Sequence, residues 1–417
     1  MPCAEIERYQ FTAFSERDFM RTGAFLILCG LLISGGVQAQ QSAIPESSKK
    51  QPIRMLSAKQ IADGWIQLFD GTTDYGWKPR GDAQWTVTDG AVVSEAGKAG
   101  SLCTTTEFGD GILHVECSYA SLIGAIALGT PPQVEADPQK AVPFYFFSTD
   151  LKKIKRPSNR NSASTWIPYD FVVTGKDVEV RSDGAVVGHY KSQSPIRGTI
   201  ALVTIGKGAI RFRNILFRPT GLKRVFNGKD LAGWIAPEGN KSVFSVTEEG
   251  WLNLKGGRGD LQTTGQWGDF VLQIEVYTNG DHLNSGVFFR AEAGKFEQGY
   301  EDQIRNQWEG DDRTKPVDYG TGAVYNRMPV RRVVSSDREW FTMTLVAHGT
   351  HIASWVNGVL VCDFTDTRPP DQFNARKGAR TTAGVISLQG HEPDTDLNFR
   401  NIRIAELPTA AKWTILK

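Results

Sequence analysis

The chain is poor in the side chains that usually build metal and redox centres. Among 417 residues there are five cysteines, five methionines and six histidines. No CxxC pair and no Cys/His cluster occurs, so nothing in the spacing supports a zinc site. Once an N-terminal leader is set aside, Cys103, Cys117 and Cys362 remain, an odd number that cannot complete a disulfide framework. Cys103 and Cys117 flank Phe108-Gly109-Asp110-Gly111 and would face each other if that segment is a hairpin. A cross-strand disulfide and two buried thiols both remain open. A dominant charge is also missing, with 47 basic against 46 acidic residues. That balance argues against nucleic acid or an anionic membrane as the main partner, since both demand a basic excess.

Long apolar runs are scarce as well. The one near the start, AFLILCGLLISGG, is too short to span a bilayer comfortably. It follows Met20-Arg21 and precedes Val37-Gln38-Ala39, small residues suited to cleavage, so residues 1–39 read as an export leader with translation starting at Met20. An uncleaved anchor is the alternative. Cys29 lies inside the apolar run, which leaves no lipid-attachment cysteine at the cleavage site. Residues 40–60, rich in Gln, Ser, Lys and Pro, read as a linker. The mature protein is therefore expected in the periplasm or outside the cell.

What the chain does have is glycine, 43 residues, and eleven tryptophans, a mixture that suits short strands and tight turns. It also has a repeat. Leu68-Phe69-Asp70-Gly71 followed by Gly76-Trp77 recurs as Val225-Phe226-Asn227-Gly228 followed by Gly233-Trp234. LCTTTEFGDGILHVE from Leu102 aligns without gaps on LQTTGQWGDFVLQIE from Leu261, and Phe212-Arg213-Asn214-Ile215 returns as Phe399-Arg400-Asn401-Ile402. Two copies are too few for a solenoid and indicate a duplicated domain, 61–219 and 220–408. Apolar residues alternate along both copies, as at Phe341, Met343 and Leu345. Asn357-Gly358 and Asp183-Gly184 interrupt apolar runs as type I′ hairpin turns do. The expected architecture is all-β, two tandem antiparallel jelly-roll sandwiches joined near Pro219 to Lys223.

Candidate chemistry concentrates in the second copy. Period two places Asn284, Gly286, Phe288 and Arg290 on one strand face, an arrangement of guanidinium, ring and open space that suits a sugar. Further on, Glu301 and Gln303 share a face, with Tyr300, Asp302 and Ile304 on the other. Ser387, Gln389 and His391 line the face opposite Ile386 and Leu388, and an imidazole titrates where proton transfer near neutrality needs it. In the first copy Val203 and Ile205 fall where Gln389 and His391 lie, and Leu122 and Leu128 where Asn284 and Arg290 lie. Each polar member is apolar in its sister. The second copy is also longer between Tyr277 and Trp340, and residues 305–332, with Trp308, Tyr319 and Tyr325, are expected to wall a cleft. Glu301 has an acidic neighbour in Asp302, but adjacent strand residues point apart, so a paired-carboxylate glycosidase is disfavoured.

FNGKDLAGW, NSGVFFR, GYEDQI, TGAVY, WVNGVLV and SLQGHE, in this order from Phe226, resemble the 3-keto-disaccharide (3-keto-glycoside) hydrolase domain family of exported bacterial jelly-roll proteins. The resemblance covers residues 224–406, and the first copy looks like a divergent, non-catalytic relative. It implies cleavage of 3-keto-glucosides by C2 deprotonation, β-elimination and hydration. In such a reaction His391 or Glu301 would move protons, Arg290 and Gln303 would stabilise oxygen, and Asn284, Tyr325 and Gln389 would hold sugar hydroxyls. No cofactor or metal is demanded by the pattern, with a divalent metal on Glu301, Asp302 or His391 left open as an alternative, and a sugar 3-oxidoreductase would act upstream. A secreted lectin-like module without catalysis is the competing expectation, because the jelly roll hosts both.

Overall fold

A computed structural model describes residues 53–119, 124–130, 144–147, 166–204, 208–371 and 377–409. The leader, most of the linker, Leu122 and Ile205 lie outside the described residues. Within them, the two copies each build an eight-stranded and a five-stranded antiparallel sheet. In the second copy the large sheet runs Val243–Val246, Leu252–Lys255, Asp396–Glu406, Phe270–Thr278, Phe341–His348, His351–Val356 and Val359–Thr365, with Lys223–Arg224 paired to Asp396–Glu406. The smaller sheet runs Trp234–Ile235, Gly259–Thr263, Val385–Gly390, Ser285–Ala291 and Tyr300–Ile304. The first copy repeats this order with its own strands, which makes the chain a tandem of jelly-roll sandwiches.

Alternation explains why these segments pair as they do. Leu272, Ile274 and Val276 meet Phe341, Met343 and Leu345 across one ladder, and all lie in the second copy's core. The Asn357-Gly358 turn has φ of 49° and 78°, and Asp183-Gly184 has φ of 49° and 78°, as a type I′ turn requires. A short helix, Ala58–Ala62, was not foreshadowed by any helix-period pattern. Ser57 caps it with Gln60 as reciprocal partner, a capping box that needs only two residues to declare itself.

Phe108-Gly109-Asp110-Gly111 is not a hairpin turn, and of the two open readings the buried thiols hold. Cys103 belongs to the five-stranded sheet and Cys117 to the eight-stranded one, because the segment between them crosses from one layer to the other. Both thiols are free and buried, as is Cys362. Burial pushes the Cys362 thiol up to about 12, which keeps it protonated and unreactive.

The two copies share a core. Val271, Val346, Ala353, Trp355 and Leu360 project from the second copy's large sheet, with Leu407 just beyond it, into an apolar cluster otherwise built by the first copy. Trp355 donates its indole N–H to the Gln67 carbonyl at 2.9 Å, and Phe108 packs 6.2 Å from its ring. Polar groups close the same seam. Arg197 donates to Glu107 at 2.8 Å and to Asp269 at 2.6 Å, and the other Asp269 oxygen receives Arg290 at 3.0 Å.

Candidate active site

The outer face of the second copy's five-stranded sheet is polar and yet buried. Strand pairing lines up Gln262 with Ser387, Ser387 with Phe288, and Phe288 with Glu301. Two residues along, Asp260 pairs with Gln389 and Gly286 with Gln303. The inner-facing residues of the same strands, Leu261, Val287, Phe289, Tyr300, Ile304, Ile386 and Leu388, form the core. Asp260, Gln262, Glu301, Gln303, Ser387 and Gln389 are all buried, Glu301 the most accessible of them at 7%. Burying six such groups together is costly unless each is matched by a hydrogen bond or a ligand.

Most are matched. Ser387 and Gln262 both donate to Asp260 Oδ2, at 2.5 and 2.8 Å. Burial, with Glu297 adding, holds the Asp260 carboxyl above the usual carboxylate range against the pull of those bonds. Gln389 donates to Glu297 Oε1 at 2.9 Å. Gln303 donates to the Asp318 side chain at 3.1 Å, anchoring the 305–332 insertion beside this face as expected. The Gly286 position is empty for a reason: a Cβ there would lie 2.4 Å from a Glu301 carboxylate oxygen, so the carboxylate leans across the Ser285–Ala291 strand.

Other expected residues sit at the margins. Tyr325 is 38% exposed, donates its backbone N–H to the Glu301 carbonyl at 3.0 Å, and packs edge-on 5.1 Å from Tyr319, which forms an aromatic rim. His391 lies on the turn after Val385–Gly390 and is exposed. Its backbone N–H donates to Thr395 Oγ1 at 3.2 Å, and that hydroxyl lies 3.5 Å from the Asn284 carbonyl, so His391 and Asn284 occupy the same end of the face.

Arg290 is placed elsewhere. The ladder slips between Phe288 and Ala291, and Arg290 takes a left-handed φ of 47°. This bulge breaks the two-residue period and turns the side chain off the polar face. Its guanidinium is fully buried and donates to the carbonyls of Gly268, Gly349 and Arg380 as well as to Asp269. Those donors tie loops together and are not available to a sugar. Pairing also corrects the match between copies. Leu202 pairs with Leu102 and Ile126 as Leu388 pairs with Leu261 and Val287, so Gly129, at φ 70°, is the counterpart of Arg290, and Leu128 is not.

The same pairing strengthens the contrast between faces. Where the second copy has Gln262, Phe288, Ser387 and Gln389, the first has Cys103, Ala127, Ala201 and Val203, a buried apolar cluster. Asp260, Gln262 and Glu297 were not anticipated. The gap-free alignment starts one residue after Asp260, and Glu297 lies in a connection with no repeat to compare. Alternation around Leu261 would have found the first two. Among the described residues no three His, Cys, Asp or Glu side chains converge as a metal ligand set.

Fold and face together define a tandem jelly-roll β-sandwich protein whose second copy carries a buried polar sheet face. The sequence profile of the 3-keto-α-glucoside-1,2-lyase-like domain matches residues 64–218 and again 221–405, and the chain belongs to that family. Similar solved structures include two from Parabacteroides distasonis provisionally named glycosyl hydrolases. One is 22% identical, with 45% of this chain and 94% of that one covered and a TM-score of 0.38. The other is 24% identical, with 45% and 100% covered and a TM-score of 0.37. A carbohydrate-binding module from Bacillus subtilis is 15% identical over 42% and 97% of the two chains, with a TM-score of 0.31. No curated protein matches the chain.

Proposed function

We propose that the second copy cleaves the glycosidic bond of 3-keto-glucosides on this polar face, and that the first copy is a non-catalytic scaffold. The observation that carries the reading is the replacement of Cys103, Ala201 and Val203 by Gln262, Ser387 and Gln389 at the same sheet positions, within a family named for this lyase chemistry.

The chemistry follows from the ketone. A carbonyl at C3 acidifies the C2 hydrogen. Removing that proton places electron density on the C3 oxygen, and its return expels the C1 oxygen as the C1–C2 double bond forms. Water then adds at C1 as C2 regains a proton, which completes hydrolysis. Glu301, leaning over Gly286, takes the C2 proton. His391, at the open end, donates to the departing oxygen, and Asn284 beside it supplies a donor for the enolate-like oxygen. Tyr325 offers its ring at the rim. Arg290 has no direct part in this scheme. The leader read from the sequence supports export of the mature protein to the periplasm or beyond, and an upstream sugar 3-oxidoreductase would supply the ketone.

The test is incubation of the purified protein with 3-keto-trehalose and, separately, trehalose. Cleavage of the keto sugar alone, with a primary isotope effect from deuterium at C2, is expected. Binding of either sugar without cleavage would turn the reading to a carbohydrate-binding module.

A further inference from the structure

The two atoms of the Gln389 amide have unequal surroundings. Nε2 donates to Glu297 Oε1 at 2.9 Å. This decides which way round the amide lies, because an amide oxygen turned toward a carboxylate would be repelled. Oε1 is buried and accepts no hydrogen bond. A buried acceptor left without a donor persists in a native fold only where something else satisfies it. Its surroundings on the face do not. Asp260 beside it is already an acceptor for Ser387 and Gln262, and Glu297 accepts from Gln389 itself. Gly286, two residues from the Phe288 that pairs with Ser387, contributes no side chain.

The missing partner is therefore a donor, and on a sugar that means a hydroxyl. A ketone oxygen only accepts and cannot fill this place. We propose that Gln389 Oε1 accepts a hydrogen bond from an unoxidised ring hydroxyl of the substrate, with Glu297 as the positioning residue that holds the amide in that orientation. The keto oxygen is then directed away from the Val385–Gly390 strand's acceptors. This inference rests on the reading of the face as a sugar site, but not on the reaction catalysed there.

Residues 292–299 fold back over this part of the face. The Gly294 N–H donates to Gln262 Oε1 at 2.8 Å, and Gln262 Nε2 donates to the Lys295 carbonyl at 3.0 Å.

Calorimetric binding of methyl α-glucoside and its 2-, 4- and 6-deoxy analogues to the full chain tests the proposal. In the wild-type protein one analogue is expected to bind about tenfold more weakly than the parent, as loss of one hydrogen bond implies. In Gln389→Leu that difference should vanish. In Glu297→Gln it should shrink, because the amide is no longer held one way round. Circular dichroism confirms the fold of each variant, and the wild-type and Glu297→Gln series decide the matter if Gln389→Leu does not fold. Wild-type affinities within twofold across the series, a difference that survives unchanged in Gln389→Leu, or no binding of any glucoside would each overturn the proposal. Turnover of 3-keto-trehalose with binding insensitive to every deoxygenation would overturn this inference alone. Hydroxyl-dependent binding through Gln389 without turnover would keep it and remove the lyase reading.

Discussion

Glu301 and Gly286 act as one unit at the scale of single residues. The carboxylate occupies the space that a side chain on the neighbouring strand would fill, and Gly286→Ala would push a methyl group to within 2.4 Å of it. The Glu301 side chain can swing aside, so the substitution should cost the fold little and displace the proposed base. Gly286→Ala is expected to lower kcat/KM for a 3-keto-glucoside by about 100-fold, the range over which a positioned general base contributes, with the melting temperature nearly unchanged. Glu301→Gln should lower it at least as far. Steady-state kinetics beside thermal melts of both variants checks this. Activity retained in both would remove Glu301 from the chemistry.

At the scale of strands, Glu301 and Gln303 face outward while Asp302 between them is driven into the sandwich. Asp302 accepts from Ser354 Oγ at 3.1 Å, and burial pushes its carboxyl up to about 8. An acid whose folded pKa is raised is protonated in the native state where the unfolded chain has already ionised. Its contribution to stability is therefore complete below the unfolded value near 4 and is lost as pH rises through about 8. Asp302→Asn keeps the shape and an acceptor for Ser354. It should flatten the decline in melting temperature between pH 6.5 and 8.5 and leave the variant the more stable protein at the upper end. A decline of unchanged slope would show that other groups set it.

The same strand shows what could be read from sequence. Alternation fixes the faces of Tyr300–Ile304, because one face is core and a slip of one residue would bury Glu301 among apolar groups. The Asn-Gly and Asp-Gly turns were equally legible, since positive φ restricts what can stand there. The bulge at Arg290 was not. Arginine at φ 47° carries no glycine signal, and the sister glycine, Gly129, escaped notice because the copies were matched one residue out of register. Asp260 and Gln262 were within reach of alternation, whereas the Glu297 contact joins a loop to a strand 92 residues away and left no local trace.

For the whole molecule, the seam explains how the first copy could support a site proposed in the second. It holds two buried imidazoles, His348 and His351, 4.8 Å apart. The Glu107 N–H donates to His348 Nε2, while His351 contacts Thr106 and Asp363. Burial, reinforced by His351, Arg197 and Arg290, drives His348 down to about 2, and burial also lowers His351 despite Asp363. A base with a depressed folded pKa stays neutral in the native state. Its contribution is thus complete above the unfolded value near 6.5 and is lost as pH falls below it. His348→Gln should blunt the loss of stability between pH 6 and 4, read from thermal melts in a pH series.

Arg197 crosses the same seam and is paired to Glu107 and Asp269 with its side chain 8% exposed. Arg197→Ala would strip the buried Glu107 carboxylate of its cation and leave Asp269 with Arg290 alone, a loss of about 3–5 kcal/mol for a broken buried pair. Asp269 also steadies Arg290, which knots three loops at the end of the site sheet, so turnover should fall together with stability. Removing the first copy altogether is the more severe form of the same experiment. A chain of residues 220–408 would expose Val271, Val346, Ala353, Trp355 and Leu360 as one apolar patch, and patches of that kind drive association. It should elute as aggregate in size-exclusion chromatography where the full chain does not. A soluble and active second half would show instead that its core closes by itself and that the first copy serves some end other than support.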